Sequence, residues 1–238
     1  MDYKTTLAQA FDEVITEFNN CTGMRRFWGN QLENKHYASF LRETFHYTRE
    51  NPQIQAMATV FFRGDQRDAV KPFLRHAISE VGHDQLALND MAALGFDNTG
   101  INAQMPLPAT TALVAFPYYQ IYNINSVGYL GYLYFLEFMP TTFGADYLNV
   151  LTNMGVPPEA MSFLQDHTTI DVGHTQAMSG YVDALVRNED DLKAVIYSMK
   201  VTGELYSNFV TAAFKDADSR KLYGHNPAEI GPIAEVAA

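Results

Sequence analysis

The sequence predicts an all-α protein. Apolar residues recur at the three- and four-residue spacing of amphipathic helices. Pro, Gly and Asn clusters punctuate the chain between those stretches. No segment shows the strict apolar/polar alternation of a half-buried strand.

The elements follow in order. Leu7, Phe11, Val14, Ile15 and Phe18 mark a first amphipathic helix, ended by Asn19-Asn20 and Gly23. A second runs from about Leu32 to Glu50, with Phe40, Leu41, Phe45 and Tyr47 apolar. Asn51-Pro52 restarts the chain with Pro in a first helical turn, and Gly64-Asp65 closes that third helix. A long helix is expected from about Gln66 to Leu94, stopped by Gly95. Ala109 to Phe138 reads as helix broken near Pro117 and ended by Pro140, followed by a shorter helix from about Phe143 to Asn153. Pro157-Pro158-Glu159 opens a helix to about Asn188, and the last runs from about Asp190 to Phe214. The expectation is one domain over residues 1–238, with an irregular tail from about residue 216.

Composition narrows the function. The 238 residues are 47% hydrophobic and 18% charged, enough for a sizeable core. Sixteen Lys and Arg against 27 Asp and Glu give a formal net charge of −11, which repels phosphate backbones and anionic lipid. Nucleic acid and membrane surfaces are therefore not expected partners. A single cysteine, Cys21, excludes an internal disulfide and fits a reducing cytoplasm. No basic region followed by an apolar one opens the chain, so no signal peptide is expected. Asn98 to Leu136 carries no charge, but Pro106, Pro108 and Pro117 interrupt it and polar residues are scattered through it. It reads as buried helix, not a membrane span.

Ionisable residues stand where core residues belong. Glu80 and His83, three apart, are expected on one helix face with Phe73, Ala77, Ala87 and Met91 on or near it. His167, Asp171 and His174 lie at i, i+4 and i+7, one stripe extended by Phe163, Ala177 and Tyr181. Glu137 is the first charge after the uncharged run. Each group alone has an ordinary reading as a solvated face, a helical ion pair or a helix-end charge. Pooled, three imidazoles and three carboxylates make a nitrogen–oxygen ligand set that suits iron or manganese. Without thiolates a structural zinc site is disfavoured. Six protein ligands suit two ions. Ferritin-like bundles use two Glu-x-x-His motifs and two further glutamates, and only one such motif is present here.

The order Glu80-x-x-His83, a lone Glu137, then His167-x-x-x-Asp171-x-x-His174 resembles the haem-oxygenase-like di-iron oxidases. These iron-containing redox enzymes include proteins similar to the chlamydial protein associating with death domains, and are distantly like TenA and PqqC. Gly82-His83-Asp84 and the aromatic early helices agree, and the resemblance spans about Trp28 to Phe214. It implies a haem-oxygenase-like bundle of about seven helices. It also implies two ferrous ions, or an iron–manganese pair, and dioxygen-dependent oxidation of a small molecule. Some members space the first Glu and His more widely; Ala87 occupies that position here, which favours His83. A TenA-like thiaminase would want a nucleophilic mid-chain cysteine, and the chain has none.

The expected partners are thus dioxygen, a small-molecule substrate and a second copy of the chain in a cytoplasmic homodimer. The alternative is a non-catalytic binding or interaction protein on the same fold. His76, four before Glu80, is either an orienting partner of a ligand or an ordinary histidine. His36, His46 and His225 read as structural, and Asp84 and Asp166 as solvent-facing. Tyr118, Tyr119, Tyr122, Tyr129, Tyr132 and Tyr134 are core residues or, for a few, pocket lining.

Overall fold

The computed structural model describes residues 2–219; within them, the side chains of residues 169–175 lie outside the description. The described residues form helices and turns with no strand. The helices are α1 (Tyr3–Asn19), α2 (Thr22–Trp28), α3 (Asn34–Thr48), α4 (Asn51–Ala58), α5 (Val70–Ser79), α6 (His83–Ala93), α7 (Pro108–Tyr119), α8 (Tyr129–Asn153), α9 (Ser162–Leu185) and α10 (Glu189–Ser219).

The apolar face of each helix finds a partner. α10 packs along α1, α2, α3, α7 and α8; α8 packs on α9, α3 on α6, α6 on α9, and α4 on α5. Phe45, Phe62, Phe73, Tyr129, Tyr132, Phe135 and Phe209 fill the centre, each essentially inaccessible. α8 lies unusually close to α10. A Cβ on Gly131 would stand 2.1 Å from the Val195 carbonyl oxygen and 2.6 Å from the Met199 nitrogen. Only a residue without a Cβ permits that approach.

Two helices are capped from elsewhere in the fold. The residue before α7, Leu107, has no capping side chain, and the buried Glu43 of α3 accepts from the Leu107 N–H (2.9 Å) and the Thr110 hydroxyl instead. Arg42 and Asp216 complete that buried network, with Arg42 2.6 Å from Glu43 and 3.2 Å from Asp216. Likewise Met161, before α9, offers no cap. Asp90 of α6 accepts from Ser162 N (2.9 Å), Ser162 Oγ (2.5 Å) and Phe163 N (2.9 Å). Both carboxylates thereby satisfy helix N-termini that their own segments leave bare.

Three expected boundaries move. The helix expected from Gln66 to Leu94 is divided: a 3-10 stretch at Gly64–Ala69 precedes α5, and α5 ends before Glu80. Gly82, at φ +100°, turns the chain into α6, a left-handed conformation that glycine adopts without Cβ penalty. Pro140 does not end α8, and the segment from Phe143 belongs to the same helix. Proline removes the N–H that would serve the Leu136 carbonyl. The helix survives because its flanks are held by α9 and α10, and the Thr141 hydroxyl meets the carbonyls of Glu137 and Phe138, both at 3.1 Å. Pro117 sits inside α7, and the break falls just beyond it, in a π-helical turn at Gln120–Ile124. α10 also continues to Ser219, past the expected start of an irregular tail.

No described helix is long and apolar enough to cross a membrane. Of the uncharged segment, residues 127–135 are buried, with Leu130, Tyr132, Leu133 and Phe135 in the core, whereas Met105, Tyr119, Tyr122 and Ile124 are exposed.

Candidate metal centre

Ionisable side chains from α5, α6, α8 and α9 meet inside the bundle. Glu80 leaves the C-terminal end of α5 and His83 begins α6. They do not share a continuous helix face, as the sequence suggested. The Gly82 turn brings them together: the His83 N–H reaches the Glu80 carbonyl at 3.3 Å, and His83 Nδ1 lies 3.1 Å from Glu80 Oε2. The expected apolar neighbours Phe73, Ala77, Ala87 and Met91 are all buried around them.

Glu137 lies mid-way along α8, not at a helix end, and is only 6% exposed. His76 Nε2 stands 3.1 Å from Glu137 Oε1 and 3.8 Å from Glu80 Oε1. His76 is the residue the sequence undervalued. Its spacing from Glu80 was visible, but its nearness to Glu137, 61 residues further along, is set by the tertiary fold.

His167 enters from α9. Its ring centroid is 5.1 Å from that of His83 and 4.2 Å from that of Phe163. His167 Nδ1 is 2.6 Å from the Phe163 carbonyl oxygen. A carbonyl only accepts, so Nδ1 carries the proton and Nε2 keeps its lone pair. Burial pushes the imidazole pKa down, opposed by that hydrogen bond and by the Glu80 charge. A neutral imidazole with a free Nε2 is the form that binds a metal.

Asp171 and His174 belong to the backbone of α9, but their side chains lie outside the described residues, as does all of His225. The structure therefore gathers Glu80, His83, Glu137 and His167, and adds His76. Among the described residues two groups have donor atoms within 4.8 Å of one another: Glu80, His83 and His167, and His76, Glu80 and Glu137. Glu80 belongs to both. Two imidazole–carboxylate groups sharing one carboxylate fit a hard or borderline cation such as iron, and fit a soft thiolate-seeking ion poorly. A family model described as iron-containing redox enzyme matches residues 38–206. The chain belongs to the iron-containing redox enzyme family.

Solved structures agree on the fold of this iron-containing redox enzyme. A domain of unknown function with a heme oxygenase-like fold from Shewanella denitrificans OS217 is 25% identical. The match covers 90% of this chain and 91% of that one, with a TM-score of 0.80. A TenA homologue from P. horikoshii OT3, at 9% identity, covers 90% and 99% with a TM-score of 0.72. A heme oxygenase from Leptospira interrogans, at 15% identity, covers 89% and 100% with a TM-score of 0.67. The last two show the fold alone. No curated protein matches the chain by sequence. The all-α, haem-oxygenase-like expectation holds.

The remaining expected roles divide. His36 is structural: its Nε2 lies 2.9 Å from Asp218. Asp84 and Asp166 are half-buried, not fully solvent-facing. Of the tyrosine-rich stretch, Tyr129, Tyr132 and Tyr134 are core, while Tyr119 and Tyr122 are exposed. A partly open apolar cavity of about 100 Å³ abuts His167, and its tyrosines are Tyr37, Tyr47, Tyr147 and Tyr206 instead.

Proposed function

We propose that the chain is a dioxygen-dependent oxidoreductase whose two iron ions are held by Glu80, His83, Glu137, His167, Asp171 and His174. The observation that carries this reading is the shared position of Glu80 between two imidazole–carboxylate groups inside an apolar bundle. Ionisable groups are costly there unless paired, hydrogen-bonded or metal-bound.

Bound iron would supply redox capacity toward dioxygen that no side chain of this set possesses. The residues supply the rest. Phe163 fixes the His167 tautomer and leaves Nε2 available. Glu80 and Glu137 provide carboxylate oxygens, and His76 Nε2, 3.1 Å from Glu137, orients that carboxylate. The apolar wall beside His167 excludes water and receives a small-molecule substrate. We further propose a homodimer and a cytoplasmic location, in keeping with the single cysteine and the acidic balance.

Anaerobic loading with ferrous iron should give two ions per chain, and exposure to oxygen a transient optical band. Changing Glu137 or His167 should lose at least one ion. A chain that takes up no iron and shows no band is instead a non-catalytic binding protein on this fold.

A further inference from the structure

The cavity beside His167 has a chemistry of its own. α8 divides there: Glu137 turns to the carboxylate–imidazole group, while Leu136, Met139 and Pro140 face the cavity. Phe18, Phe27, Phe40 and Phe214 add aromatic walls from α1, α2, α3 and α10. No Asp, Glu, Lys or Arg is among the described lining residues, and His167 is the one ionisable imidazole there. A charged ligand group would be stripped of water with nothing to pair it. The volume, about 100 Å³, is close to that of engineered apolar cavities of about 150 Å³ that take up benzene.

The tyrosine hydroxyls refine this. Tyr206 is hydrogen-bonded to Tyr47, and Tyr147 Oη reaches Asn19 at 3.5 Å. The Tyr37 hydroxyl is buried and is not exposed on the cavity wall, so it adds no polar anchor to the apolar lining.

Resting on the oxidoreductase reading above, we infer that the substrate places an uncharged, apolar group of single-ring size in this cavity, with His167 on its wall. The charged part of any substrate must lie outside the cavity.

The test uses neutral and charged probes of the same ring, followed by ligand-observed NMR on the iron-loaded chain. Toluene should bind. Benzylammonium and benzenesulfonate should bind at least ~10-fold more weakly. Val210→Phe, which adds bulk to the cavity wall, should weaken toluene binding. Charged probes binding as well as toluene, or Val210→Phe sparing toluene, overturns the inference. Repeating the titration after chelation separates the two readings. Ring binding without iron uptake removes the metal centre and keeps the cavity, and iron uptake without ring binding does the opposite.

Discussion

His76 Nε2 and Glu137 Oε1 stand 3.1 Å apart across the α5–α8 contact, both buried. This pair joins two segments that are 61 residues apart and places an imidazole on a carboxylate that the sequence left alone. His76 also stacks near Tyr181, at 6.1 Å between rings. His76→Phe keeps a ring against Tyr181 but removes both nitrogens. Ferrous or cobalt affinity should fall at least ~10-fold, as for other partners that orient metal ligands. Unchanged affinity measured by titration would place His76 outside the centre.

Asp90 should matter to stability and to the site together. It accepts three hydrogen bonds at the start of α9, one of them from Phe163 N, and the Phe163 carbonyl in turn holds His167. Asp90→Ala should lower unfolding stability by about 2–3 kcal/mol, a lost cap plus buried donors left unmade. Asp90→Asn should cost less, because one acceptor oxygen remains. Urea midpoints for the two variants decide this, and equal losses would show that the cap is not what Asp90 contributes.

The approach of α8 to α10 gives a third expectation. Gly131→Ala sets a Cβ against the Val195 and Met199 backbone, which no side-chain rotation can relieve. Stability should fall by about 2–3 kcal/mol, with the helices forced apart. A melting temperature equal to the parent's would contradict the spacing.

Acid should act in two windows. Burial pushes the His46 pKa down from 6.5 to about 4, Arg49 and Arg42 adding to this and Glu43 opposing it. The folded chain then binds fewer protons there than the unfolded chain, so stability is full above pH 6.5 and declines as pH falls toward 4. The change is up to roughly 3 kcal/mol, and His46→Leu should flatten it. Asp218 is held at about 2 by its hydrogen bonds from Arg26 and His36. Its contribution is present above the ordinary value of 3.8 and is lost as pH falls through 2. Because its side chain is 46% exposed, the effect should be well below about 1 kcal/mol. Denaturant midpoints across pH 2–7 for His46→Leu and Asp218→Asn check both signs.

The sequence by itself determined the helical class, most helix starts and the identity of the odd ionisable residues. Helical periodicity and the lone Glu137 are local facts, readable without knowing which helices touch. Tertiary structure decided the rest. Gly82 inside an apolar pattern reads as tolerated helix, because nothing local shows that the chain must turn there to bring His83 back onto Glu80. Pro140 reads as a stop, because the packing of α8 against α9 and α10 that carries the helix through it is remote in sequence. The caps that Asp90 and Glu43 supply leave no local signal, because the helix ends they serve lie more than sixty residues further along the chain. His76 joins the centre for the same reason. A ligand set is fixed by residue type, but which groups converge is fixed by long-range helix crossings, whose energy resides in packed surface that no local pattern records.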